Sequence, residues 1–538
     1  MLESLSICNF KAFGGLQRIP LRPITLVFGP NSSGKSSLLQ TLLLLKQTLE
    51  EAERPETVLL PKGRLVDLGS FRELIFGHDL SRSLQLGFGV SFESEEDVKV
   101  NRTRRRMTVY RQAKLAFDFS ATTKQGIELD GVSLLSDQRD RVLLRMIPEV
   151  KRRISIGGKD RLLKTGNLVL ETDYLTDDAG DYKGAYDRYQ EFQLNDDISR
   201  LERRVESGRR RIDEPSPLLR TGDSRVDRME VRQSAMEKRL ARLSDYSLEH
   251  FVEDQRSAHK DAQLALWNFL PAGSAYSLDE MEEYGFYWQR SHGPMRPLGA
   301  RAVLMPTLLR ATRALRTALD GLIYLGPLRE YPERHYIFSG NLVAEVGKSG
   351  KGMPDLLFKK RGLVTKLNQW LRKFGLDYQI KVKTVRDPDV EDVFTLRLVE
   401  GATGITVSPL DVGFGISQLL PIVVQTLLAE DRLICVEQPE IHIHPRLQAE
   451  FGSLLAAAIK EKNPNRFLIE THSEHLLLRL QRLIRRRELT PSDVAVIYVS
   501  KTSDGAVASE LRIDEDGSFL DRWPDGFFEE GFVERFED

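Results

Sequence analysis

Cysteine is almost absent: Cys8 and Cys435 stand far apart in a chain of 538 residues. That excludes a disulfide framework and a cysteine-rich zinc site, and it fits a reducing, cytosolic setting. Charge of either sign is also missing in excess. Seventy-eight Lys and Arg against seventy-nine Asp and Glu leave a net charge of -1, so the chain as a whole draws in neither nucleic acid nor an anionic bilayer, and any such affinity must be local. Long apolar runs are lacking too. Residues 38–45, with Gln40 among them, fall short of the ~20 residues that span a bilayer, and no membrane segment is expected. The first eleven residues alternate apolar and polar in place of the basic head and apolar run of a secretory signal, and they read as a first strand. There is no internal repeat and no low-complexity tract.

What is present suits two to four compact units of ~100–200 residues each. The first ninety residues read as strand, turn, strand, Gly-rich loop and helix. Residues 84–170 carry short β-rich runs between charged turns, including the basic cluster Arg102, Arg104, Arg105 and Arg106. From 197 to 243 Arg, Glu, Leu and Met recur at helical spacing around a break at Pro215, Pro217 and Gly222, which predicts an αα-hairpin with arms of roughly 25–30 Å. Its arginines, Arg209, Arg210 and Arg211 among them, form either a solvated face or a surface for nucleic acid or a protein partner. From Gly415 onward helices and apolar strands alternate, as in a parallel sheet covered by helices. The expected architecture is therefore α/β, with a head assembled from both ends of the chain: 1–95 as its first part, 96–190 a β-rich subdomain, 191–265 the Arg-rich helical hairpin, 266–323 a helical connector and 324–538 the second part of the head.

The chemistry is written most plainly in Gly29-Pro30-Asn31-Ser32-Ser33-Gly34-Lys35-Ser36-Ser37. It satisfies G-x-x-x-x-G-K-[ST] between an apolar strand and an amphipathic helix, the context the motif needs. Its glycines let backbone N–H groups wrap a phosphate while the helix start points its positive end at the same anion. Lys35 is placed to neutralise β- and γ-phosphate oxygens, and Ser36 to hold Mg²⁺.

A second apolar strand, 433–437, ends in Glu437, positioned to hold the same Mg²⁺. Gln438 follows, where an ATPase of this kind needs a base on the attacking water; an amide orients water but takes no proton, so hydrolysis is expected to be slow. Glu440 is the nearby carboxylate able to substitute. Strand 466–470 leads into Thr471-His472-Ser473, which puts His472 at a strand end on the same sheet edge, within reach of a γ-phosphate. His442 and His444 have no further Cys or His at ligand spacing, so they are not read as a metal pair. Asp411-Val-Gly413-Phe-Gly415-Ile-Ser417-Gln418 opens a helix and makes a second anion-binding cap. One chain folded round its own loop has no need of two caps on one phosphate; two chains arranged head to tail do.

In the order phosphate loop, cap, metal acid, switch histidine, the sequence resembles the ABC-type ATPases. The stretches 66–76, 324–334, 437–445, 470–473 and 523–528 make it similar to the ATPases related to the overcoming-lysogenization-defect (OLD) proteins, and especially to PtuA, the ATPase subunit of Septu and of certain retron defence systems. The resemblance implies ATP and Mg²⁺ as cofactors, a head-to-tail homodimer in which Gly415 and Ser417 cap the γ-phosphate of the opposite copy, and an HNH-type nuclease partner such as PtuB. By the same route it implies a role in stopping phage infection and, in retrons, a reverse transcriptase with its nucleic acid. The glycine pattern of the cap is looser than in transporters and leaves Gly413 beside Gly415. Full OLD nucleases end in a Toprim domain of about 100 residues; fifty residues follow Glu488 here, so no nuclease is expected within this chain. The competing reading is a DNA-repair or chromosome-maintenance clamp that grips DNA through the Arg-rich hairpin.

Overall fold

A computed structural model describes the chain apart from residues 55–56, 101–102, 122–125, 136–139, 141, 157–158, 171–194, 214–223, 248–249, 251–262, 268, 273–303, 341–342, 385–391 and 525–538. The chain divides into two compact units, one of Met1–Phe88, Phe119–Glu128 and Leu315–Asp538, the other of Gly89–Asp118 and Leu129–Ala314.

The first unit opens with β1 (Leu2–Cys8) and β2 (Gln17–Pro20), an antiparallel hairpin. β3 (Ile24–Phe28) follows with all five residues buried, the mark of a strand covered on both faces, and leads through the Gly-rich loop into α1 (Lys35–Glu51). The remaining elements of its two sheets come nearly three hundred residues later. They include β4 (Ile323–Leu325), α2 (Arg361–Lys373), β5 (Tyr378–Thr384), β6 (Val393–Glu400), α3 (Phe414–Leu428), β7 (Leu433–Glu437), α4 (Pro445–Ala458), β8 (Arg466–Glu470), α5 (Glu474–Arg485), β9 (Val494–Thr502) and β10 (Gly505–Leu511).

The main sheet runs β4-β7-β8-β3-β9-β10. Its first five strands are parallel and the last pair is antiparallel. Parallel neighbours need crossover connections, and α3, α4 and α5 supply them with buried apolar faces such as Leu476, Leu477, Leu480 and Ile484 of α5. Because all five strands run the same way, their carboxyl ends share one border, where ligands bind in open α/β sheets. Trp523, from the tail singled out in the sequence, packs edge-on against Phe28 and Tyr498 at ring separations of 5.6 and 5.9 Å and so braces the strand that feeds the Gly-rich loop. A smaller antiparallel sheet holds β5 and β6 against α2, where the Asn368 amide brackets the backbone of Ile380 at 3.0 and 2.7 Å.

In the second unit, strands Ile127–Leu135, Val142–Ile156, Lys159–Leu170, Gln263–Trp267 and Leu270–Ala272 are antiparallel neighbours in chain order. The last two fall where helix was expected, at the end of the hairpin segment and the start of the connector. A run of a few apolar residues satisfies either period, and pairing of Gln263–Trp267 with Lys159–Leu170 decides for strand. Further along, the connector is helical at Leu304–Asp320. Helices Asn195–Asp213 and Ser224–Ser244 form the expected hairpin, with Gln233 donating to the Val205 carbonyl at 2.9 Å and Arg209 paired to Glu237 at 2.7 Å. Its break, the side chain of Arg211 and the Arg102 position lie outside the described residues. Among the described residues no helix is long and apolar enough to cross a membrane.

Candidate functional site

The loop after β3 takes the shape its glycines permit. Gly29 has φ 143° and Gly34 φ 109°, in the region L side chains avoid, and a Cβ on Gly29 would collide with the Val499 carbonyl oxygen of β9. Pro30, Asn31 and Ser32 form an exposed lip, while Ser33, Lys35 and Ser37 are buried. Lys35 is 4% exposed. Its Nζ donates to the carbonyls of Gly29 at 2.9 Å and Pro30 at 2.7 Å, so the ammonium lies folded over the loop it belongs to. Burial lowers its pKa, opposed by the charges of Glu470 and Glu440.

Three carboxylates stand at the sheet border, of which Glu470 and Glu440 act on Lys35 of this loop. Glu437 and Glu470 end adjacent parallel strands and are paired in register. The Glu470 carboxylate is hydrogen-bonded by the Ser36 side chain; burial raises its pKa, and its Oε2 has no hydrogen-bond partner. Glu437 accepts from the Tyr324 hydroxyl at 3.0 Å, and burial, helped by the Glu470 charge, pushes its carboxyl up to about 7. Glu440 is held at both oxygens, by the Thr471 hydroxyl and by the His472 backbone N–H, each at 2.6 Å; burial raises its pKa as well. The His472 imidazole is pushed down by burial and by the Lys35 charge, so it is neutral at pH 7. Gln438 takes the left-handed conformation, φ 45°, with its N–H on the Glu470 carbonyl at 2.8 Å. The structure thus gathers Lys35, Ser36, Glu437, Gln438, Glu440 and His472, drawn from both ends of the sequence, along one border.

Gly415 and Ser417 form a second locus, at the start of α3. A Cβ on Gly415 would run into the His442 carbonyl oxygen, so the helix start is pressed against the loop after β7. Phe414 stacks on Tyr331 with ring centres 4.4 Å apart and meets His442 edge-on at 5.0 Å. Ser417, 6% exposed, lines a cavity of about 620 Å³ together with Tyr331, Lys348, Lys351 and Pro421. Gly413 is the residue before the first turn, with open space where a Cβ would sit.

Three participants were not assigned roles from the sequence. Glu470 was read only as the end of a strand, although its place two residues before His472 was the available signal. Tyr324 and Arg329 lie in the Pro/Gly/Arg-dense loop quoted for the resemblance, where nothing local gave them a task. The arrangement fits a nucleotide with its metal. Ser33 Oγ and Glu470 Oε2 are buried polar atoms without hydrogen-bond partners, the Gly29 cradle is one a Cβ would fill, and Mg²⁺ takes one or two protein oxygens beside phosphates and water. Ser36 Oγ with the carboxylate of Glu470 or Glu437 is such a set.

A Gly-rich phosphate loop between strand and helix, with acids and a histidine at neighbouring strand ends of one parallel sheet, defines a P-loop ATPase of the ABC type. The chain belongs to the family described as "AAA domain, putative AbiEii toxin, Type IV TA system", whose model matches residues 24–479. A second model, described as a protein of unknown function, matches residues 489–533. No curated protein matches the chain. Among solved structures it is similar to an Smc head bound to the C-terminal winged-helix domain of ScpA, at 9% identity and TM-score 0.38 over 96% of this chain and 98% of that one. Two others are the Smc head with an extended coiled coil bound to the C-terminal domain of ScpA from Pyrococcus furiosus (10% identity, TM-score 0.34, 95% and 96% covered) and the head domain from Thermotoga maritima (9%, 0.34, 95% and 99%). Likeness at these scores carries no inference about this chain.

Proposed function

We propose that the chain is a slowly hydrolysing regulatory ATPase of an antiphage defence complex, in which ATP clamps two copies head to tail and the nucleotide state controls a separately encoded nuclease or toxin. What supports this reading is that one chain carries two glycine-framed loci, the phosphate loop and the start of α3. Lys35, Ser36 and the acids surround the phosphate loop, while the cap at Gly415 and Ser417 belongs to α3 and the loop after β7. A head-to-tail pair brings each cap to the other copy's phosphate loop.

In this reading bound Mg²⁺ supplies Lewis-acid polarisation of the terminal phosphate. Lys35 turns from the carbonyls of Gly29 and Pro30 to the β- and γ-phosphate oxygens. Ser36, with Glu470 or Glu437, holds the metal. Gln438 orients the attacking water without taking its proton. Glu440, with both oxygens engaged, keeps the Thr471–His472 turn in place and is a poor general base until one of those bonds opens. His472, neutral, can donate to a phosphate oxygen or accept from water. The defence role and an HNH-type partner such as PtuB follow from the PtuA resemblance, and the family's toxin-type description is compatible with them.

Sedimentation of the full chain with MgATP tests the clamp. Wild type is expected to dimerise on triphosphate, and Ser417→Arg, which puts bulk and positive charge into the cap, to stay monomeric while still binding ATP through Lys35. Normal dimers of Ser417→Arg defeat the sandwich.

A further inference from the structure

Arg329 is a charged side chain enclosed by the protein, 4% exposed, at the border that carries the acids. The segment holding it leaves the carboxyl end of β4, beside β7. Two backbone bonds zip that segment to the neighbouring loop, Gly326 N–H to the Lys348 carbonyl and Glu330 N–H to the Ser349 carbonyl, each at 2.9 Å. Leu328 and Tyr331 are consequently turned outward, 81% and 70% exposed, and Arg329 is turned in. Its Nη2 donates to the Glu437 backbone carbonyl at 3.0 Å.

Nε and Nη1 are buried without any acceptor. The nearby acids make other bonds, Glu440 to Thr471 and His472, and Glu437 Oε1 to Tyr324. Buried donors without acceptors are uncommon in folded proteins, and where they persist they point to an ion, an ordered water or a functional role. A brace for the Glu437 carbonyl needs one nitrogen; this guanidinium keeps two more in reserve. Each is a charge-assisted donor of the kind that suits a phosphate oxygen. Burial brings the Arg329 pKa down to about 10, with Glu440, Tyr324 and Glu437 opposing that shift, so the group remains a cation at neutral pH.

We propose that Arg329 is the triphosphate-sensing residue of this site: one of its unspent donors, Nε–H or Nη1–H, takes the terminal phosphate of a bound nucleoside triphosphate, directly or through one ordered water. The inference rests on the nucleotide reading above and adds to it the feature that separates triphosphate from diphosphate. It also gives the signal a route to the cap. Gln418 of α3 donates to the Arg329 carbonyl at 3.4 Å, and Tyr331, two residues on, stacks on Phe414 of the same helix start.

The test compares the affinities of MgATPγS and MgADP for the full-length wild type, Arg329→Gln, Arg329→Lys and Lys35→Ala, with thermal unfolding as the check on folding. Arg329→Gln is expected to lower the ratio of triphosphate to diphosphate affinity by about 10-fold or more, the scale of a charge-assisted hydrogen bond, with MgADP affinity nearly unchanged. Arg329→Lys, which keeps the charge and loses the guanidinium's separate donor directions, falls between. A folded Arg329→Gln with the wild-type ratio, or with both nucleotides weakened alike, overturns the proposal. Should Arg329→Gln fail to fold, a wild-type ratio in Arg329→Lys overturns it equally. In wild type itself, hydrogen exchange across residues 326–331 is expected to slow with MgATPγS and not with MgADP, and equal protection by both counts against it. Failure of the underlying reading looks different: wild type binds neither nucleotide, or Lys35→Ala binds both as wild type does.

Discussion

Glu437→Gln is expected to stabilise the ligand-free protein, and to do so only at neutral and alkaline pH. The Glu437 carboxyl is raised from 4.5 to about 7 by burial and by Glu470. Between those values the folded chain holds a proton that the unfolded chain has already lost, so stability falls as pH rises through this window, and above pH ~7 the full cost of the buried charge is present. A shift of that size corresponds to about 3 kcal/mol at most. Glu437 keeps some contact with solvent, and screening brings the working figure to about 1–2 kcal/mol. Gln still accepts the Tyr324 hydroxyl and carries no charge. For a cooperative unit of this size the gain is worth about 2–3 °C in Tm near pH 8 and vanishes toward pH 5. Differential scanning calorimetry of both proteins from pH 5 to 8.5 gives the comparison. With saturating MgATP the order should reverse: wild type gains about 2.7 kcal/mol at a hundred times its Kd, whereas the variant, short of one metal-directed carboxylate, gains less. A Tm difference that is the same at pH 5 and pH 8, or a wild type that is the more stable at pH 8 without ligand, refutes the reasoning.

Gln438→Glu restores a carboxylate beside the attacking water and is expected to raise steady-state ATP turnover, up to the ~10²–10⁴-fold that general-base assistance supplies; an unchanged rate places the limit elsewhere, at closure or at Glu440. Gly29→Ala forces a Cβ against the Val499 carbonyl at φ 143°, and strain of about 1–3 kcal/mol should lower Tm and weaken nucleotide binding together, whereas a variant with wild-type Tm and affinity would show that the loop relaxes freely.

Much of the site was legible because its parts are local signals. The phosphate loop is one continuous motif, and strands Leu433–Glu437 and Arg466–Glu470 were bounded correctly because each is an apolar run ended by charge between two helical patterns. Local signals end where pairing begins. Ile323–Leu325 is three residues long, too short to register as a period, and it is a strand only because β7 accepts it in parallel. The same insertion carries Tyr324 to Glu437 and Arg329 to the Glu437 carbonyl. Gln263–Trp267 was likewise undecidable until a partner strand fixed it.

The sequence by itself pointed to the class of chemistry: a glycine-framed lysine and serine in the phosphate-loop pattern, acids at strand ends, and an amide, Gln438, directly after the first of them. Only the tertiary structure decided the partners. It set Glu470 against Ser36, locked Glu440 onto Thr471 and His472, and enclosed Arg329 with two donors unspent. The reason is physical: residue type and spacing fix what a group can do, but parallel strands joined by long crossovers carry no local record of which strand ends will lie side by side.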